Sequence, residues 1–105
     1  MAKVIWTSPA LKDVREIIDF IAQDSHVYAE RVGTKLIQSP RRLSLLPFSG
    51  RIVPEFSDES IREIIYSSYR VIYKLYKKDC YIVAVIHASR DIIRHIEPGE
   101  WEIPL

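Results

Sequence analysis

The sequence is short of the residues that many small enzymes and secreted domains depend on. It has one cysteine, Cys80, so it forms no internal disulfide and no cysteine-only metal site. Three glycines in 105 residues leave no glycine-rich phosphate loop and no Gly-x-Ser-x-Gly elbow. The longest nearly apolar run, Tyr81 to His87, is far too short to span a bilayer. The opening MAKVIW lacks the charged, apolar and small-residue order of a signal peptide, so a cytoplasmic protein without a membrane role is expected. Charge of one sign is also missing: 15 basic against 14 acidic residues give a net charge of +1. Proteins that live on nucleic-acid phosphates usually carry an excess of Lys and Arg, so such a role would need a local patch here. The histidines are scattered, with no His and Cys at ligand spacing; no metal or cofactor is expected, and His26 and His95 read as surface residues.

What the chain does have is 48% hydrophobic residues, enough to bury a core in one domain over 1–105, with a core at 3–91 and a tail at 92–105. Lys3 to Thr7 is a short β-branched and aromatic run, read as a strand. Ser8-Pro9 then predicts a helix start, with Ser8 as cap and Pro9 at the first helical position. Leu11, Val14, Ile17, Ile18 and Ile21 recur at helical spacing to about Gln23. Asp24-Ser25 starts a second helix with Tyr28, Val32, Leu36 and Ile37 as its stripe. Ala29 and Gly33 are small enough for close helix contact. Pro40 either kinks that helix or ends it at Gln38, with Ser39 capping a new turn.

Arg51 to Phe56 is extended, because Pro54 keeps its predecessor out of the helical region. Ile61 to Tyr66, Tyr69 to Tyr76 and Tyr81 to His87 read as three strands joined by hairpin-length turns. In the middle one, Tyr69, Val71, Tyr73 and Leu75 face one way and Arg70, Ile72, Lys74 and Tyr76 the other. The last is apolar on both faces, as in a central strand. Ile92, Ile93, Ile96 and Trp101 are the packing residues of a short turn and tail. The order β-α-α-β-β-β predicts an α+β fold: an antiparallel two-helix hairpin on one face of a small, mainly antiparallel sheet, the other face partly open.

Candidate chemistry gathers on and just before the strands. Arg51, Arg62, Arg70, Lys74 and Arg90 are the cations, Glu55 lies in the extended segment, and His87 ends the last strand. Metal-free cleavage of RNA needs a base for the 2′-hydroxyl, a cation for the phosphorane and an acid for the leaving oxygen. Glu55, Arg70 and His87 are of the right types for those roles. The structural alternative is that Arg70 pairs with Glu55 or Glu63 and that His87 is a hydrogen-bonded strand-end residue. Arg51, Arg62, Lys74 and Arg90 would then serve binding. Tyr69, Tyr73 and Tyr81 fall where a sheet core takes aromatics.

The ordered set SPALKD, AERV, LIQSPRRLSLLPFSGR, VPE, IREI, YRVIYK and IVAVIHASRD, spanning residues 3 to 91, resembles the RelE/ParE superfamily. These are toxins of type II toxin–antitoxin modules, often labelled plasmid-stabilisation proteins. The resemblance implies two helices on a small sheet and a cognate antitoxin as partner. RelE-like members cleave mRNA on the ribosome, whereas ParE-like members bind DNA gyrase. VPE places Glu55 near the general-base carboxylate of the YoeB-like nucleases, and YRVIY places Arg70 on their phosphate-stabilising arginine. Those nucleases end the last strand with His-Tyr; this chain has His87-Ala88-Ser89-Arg90-Asp91, an ending similar to the ParE-like side. The resemblance therefore implies a ParE-like toxin that inhibits growth by binding gyrase. The alternatives are a RelE-like mRNA endonuclease (mRNA interferase) and a degenerate member that only binds antitoxin.

Overall fold

A computed structural model describes residues 1–92 of the chain. The element order is β1 (Val4–Trp6), α1 (Ser8–Ala22), α2 (His26–Gln38), a 3-10 turn (Ser39–Ser44), β2 (Arg51–Ile52), β3 (Ile61–Tyr66), β4 (Tyr69–Tyr76) and β5 (Asp79–His87). The strands form one sheet in the order β1-β5-β4-β3-β2. β1 runs parallel to β5, and the other neighbours are antiparallel. This is the expected α+β layering, two helices on a mainly antiparallel sheet. The reading of Ile93, Ile96 and Trp101 as packing residues lies outside the described residues.

The helix starts follow local chemistry, with one correction. Thr7, not Ser8, caps α1: its hydroxyl accepts from the Ala10 amide and donates to the Ile82 carbonyl. The Thr7 amide also donates to Ile82, so the chain stays extended one residue further than expected. Pro9 therefore sits one place inside the helix, still where its missing N–H costs nothing. Ser25 caps α2 as expected, accepting from the Tyr28 amide. Tyr28 itself points outward, and Leu11 is similarly exposed. The second helix ends at Gln38, and Pro40 sits buried in the following turn. Ser39 does not cap that turn; its hydroxyl donates back to the Leu36 carbonyl.

Both sheet faces carry apolar clusters. On the helix side Ala10, Val14, Val32, Leu36 and Leu43 pack onto Ile64, Val71, Tyr73, Ile82 and Val85. The opposite face is less open than expected, because Val53, Ile61, Ile72, Val83, Ala84, Ile86 and Ile92 form a second buried cluster there. Between the two faces β5 holds an irregularity. Ile72 pairs with Ala84 and Tyr73 with Ile82, leaving Val83 without a partner on β4. This one-residue bulge lets Val83 and Ala84 both face the second cluster, and it reverses the facing of every later residue of β5.

Candidate functional site

The face opposite the helices carries a chain of charges. Arg70 on β4 donates through both terminal nitrogens to the two Glu55 oxygens, at 2.7 and 2.8 Å. Its Nε donates to Glu63 Oε1 at 2.5 Å, and Arg51 Nε donates to Glu63 Oε2 at 2.6 Å. Arg51 lies opposite Glu63 across β2 and β3, and Arg70 lies across β3 and β4 opposite Ile65, two residues along from Glu63. Register and alternation thus place all three on one face, and the turn at Val53–Ser57 brings Glu55 over them. The Glu63 side chain has no exposed surface and Arg70 is 94% buried by area, at 6% relative exposure.

Such a pair must be fully bonded to survive desolvation, and this one is. The bidentate Arg70 guanidinium pulls the Glu55 carboxyl down from its usual range to about 2. The same bonds push Arg70 above its already high value. A carboxylate held that low is a weak proton acceptor at neutral pH, and a guanidinium shared by two carboxylates has little charge left for a phosphate.

The remaining cations go elsewhere. Lys74 shares this face but donates to Ser60 Oγ at 2.5 Å and lies 3.7 Å from Asp58. Arg62 faces the helix side, where it donates to the carbonyls of Glu59, Phe48 and Gly50 and stacks its guanidinium over the Phe48 ring. Arg90 is exposed beyond β5, and among the described residues it forms no ion pair.

His87 does not join Glu55 and Arg70. The bulge at Val83 turns it to the helix side, where its ring meets Tyr69 edge-on at 5.5 Å. It lines a cleft of about 500 Å³ with Asp13, Glu16, Phe20, Tyr69 and Arg90. Its Nδ1 accepts from the Ser89 amide, which places the neutral ring's proton on Nε2. Asp13 accepts from the Val85 amide at 2.9 Å, and burial pushes its carboxyl up from the usual range. Burial likewise raises the Tyr69 hydroxyl. The sequence reading did not single out Asp13, although its four-residue spacing from Ile17 put it at the edge of the apolar stripe. Among the described residues no three His, Cys, Asp or Glu side chains converge as metal ligands.

The architecture has known counterparts. The sequence model described as ParE toxin of type II toxin–antitoxin system, parDE, matches residues 4–92. The chain belongs to the ParE toxin family. It is therefore a type II toxin of the ParE/RelE superfamily, and membership implies a cognate antitoxin. The chain is 32% identical over 91 residues to Toxin RelE2 of Caulobacter vibrioides, covering 86% of this chain and 99% of that protein. The fold is similar to a chain of the chromosomal ParDE TA system from P. aeruginosa, with a TM-score of 0.69 at 16% identity over 83% of this chain and 96% of that one. Among the described residues of this ParE family member, no helix is long and apolar enough to cross a membrane.

Proposed function

We propose that this ParE family toxin acts in the cytoplasm by binding, with DNA gyrase as target, and that the cognate antitoxin silences it. The supporting observation is the Glu55–Arg70–Glu63–Arg51 chain. The carboxylate and arginine required for RNA cleavage neutralise each other, and His87 sits on the opposite sheet face. Under this reading the network holds the Val53–Ser57 turn onto the sheet, and the surface around it does the work. The test is direct: purified chain added to gyrase and supercoiled plasmid should accumulate cleaved DNA in proportion to the toxin present. Gyrase that relaxes and supercoils at unchanged rates, with no cleaved product, would reject the target.

A second reading has its own support. Glu55 and Arg70 are in direct contact, and the Caulobacter relative carries a RelE name. In that case Arg70 would exchange Glu55 for a phosphate on the ribosome, and Glu55, once released, would act as base. Arg70→Lys would then abolish mRNA cutting, while under the gyrase reading it would lower stability, by weakening the bonds to Glu55 and the buried Glu63, and leave gyrase binding in place.

A further inference from the structure

The cleft beside His87 gathers groups that have no part in the Glu55–Arg70 network. Asp13, Glu16 and Phe20 fall on one face of α1 at steps of three and four residues, and run ~10 Å along it. Tyr69, His87 and Arg90 complete the polar and aromatic lining. The volume of about 500 Å³ lies in the size range of small-molecule sites. Phe20 is 72% exposed, an aromatic ring placed at this cleft rather than in the core.

The polar groups here are only partly bonded. Asp13 accepts from the Val85 amide and, among the described residues, forms no ion pair. A carboxylate has about four acceptor sites, so most of its capacity is unused. Burial raises its carboxyl, as expected of a charge with too few donors. Glu16 adds a second carboxylate one turn on, 3.9 Å from Lys12. From Val85 to His87 is ~7 Å of strand. There the Ser89 amide and hydroxyl occupy Nδ1, and Nε2–H has no partner among the described residues. The Arg90 amide donates to the His87 carbonyl, which sets the exposed, unpaired Arg90 beside it. The carboxylates accept, the residues at the end of β5 donate, and two aromatic rings lie with them.

From this arrangement we infer that the cleft binds a purine nucleotide, guanine in preference to adenine. Asp13 and Glu16 accept from the base edge, Phe20 stacks on its face, and Arg90 with His87 Nε2–H holds the phosphate. Guanine offers a carboxylate two adjacent N–H donors, whereas adenine offers one donor beside an acceptor. An exposed ring suits a base face, and a guanidinium fork suits phosphate oxygens. A free nucleotide and a base in a single strand present the same groups. The cleft lies on the other sheet face from the Glu55–Arg70 network, so the inference stands apart from the gyrase reading.

The test is titration calorimetry of the full chain with GMP, AMP and guanosine. Wild type is compared with Asp13→Asn, Phe20→Ser and Arg90→Ala, with Lys78→Glu as a control in the β4–β5 turn. Phe20 and Arg90 are exposed and Asp13→Asn keeps an acceptor for Val85, so melting temperatures should not fall. Phe20→Leu takes the place of Phe20→Ser if the latter melts early. Wild type should bind GMP at least about tenfold tighter than AMP or guanosine. Asp13→Asn should erase the preference over AMP, and Arg90→Ala the preference over guanosine, a split that a merely structural role would not produce. Phe20→Ser should weaken all three ligands, and Lys78→Glu none. A guanine-bearing single-stranded oligonucleotide that displaces GMP supports the site with a strand as its source; one that does not supports it with free nucleotide. GMP that fails to saturate wild type by about 1 mM overturns the inference, as does binding that the three cleft variants leave unchanged. Arginine amide that binds where GMP does not also overturns it, and reassigns the cleft to a cationic side chain.

Discussion

A glutamate with no exposed surface, gripped by two guanidinium groups, finds no substitute when its charge is removed. Glu63→Gln would leave Arg51 and Arg70 facing a neutral amide, so it should cost ~3–5 kcal/mol by urea unfolding. Removing the outer partner is milder: the Arg51 side chain is 60% exposed, and Arg51→Ala should cost about 1 kcal/mol or less. The pH dependence follows from Glu55. Its folded carboxyl lies at about 2, below its unfolded value, so its stabilisation is present above about pH 4.5 and is lost as pH falls towards 2. Glu55→Gln should flatten that acid limb in melts taken between those pH values. Asp13 behaves oppositely. Burial raises its folded value, so ionising it costs stability as pH rises. Asp13→Asn, which keeps an acceptor for the Val85 amide, should melt higher than wild type at pH 7, with the difference vanishing in acid.

At the scale of elements, close approaches decide which small residues are replaceable. An added Cβ at Gly50 would lie 2.5 Å from the Tyr73 hydroxyl and 2.8 Å from the Glu63 carbonyl, neither of which can yield. Gly50→Ala should cost at least ~1–3 kcal/mol and loosen the 47–50 loop, read as a lower melting temperature. At Gly33 the clash is with the far end of Ile18, which can rotate, and alanine returns ~1 kcal/mol of helix propensity, so Gly33→Ala should be the milder change. Lys77 holds a left-handed φ of 56° in the β4–β5 turn, so Lys77→Gly should stabilise by ~1 kcal/mol.

The elements themselves were largely legible. The helical stripes, Pro40 as a stop and the alternation of β4 all reflect local sequence. So was the option of Arg70 pairing with Glu55 or Glu63, since a cation among apolar strand residues needs a carboxylate. The facing of His87 was not. YIVAVIH is apolar at both parities, so no alternation marks where Val83 drops out of register. Glu55, Arg70 and His87 look like one cluster in sequence, and one unpaired residue divides them between two faces.

For the whole molecule, the charge balance that argued against nucleic acid is an average over unlike stretches of the chain. Residues 31–54 carry five cations and no acidic residue, and the acid-rich remainder of the chain offsets them. The ion-pair network on one sheet face and the His87 cleft on the other are separate, so Glu55 and Arg70 do not share a face with His87. The most direct test is to induce the chain in growing cells without its antitoxin and map RNA 5′ ends and DNA breaks from the same culture. Binding to gyrase predicts double-strand breaks with RNA ends unchanged from the uninduced culture. New RNA ends within translated codons, lost in Arg70→Ala and unaccompanied by DNA breaks, would contradict it.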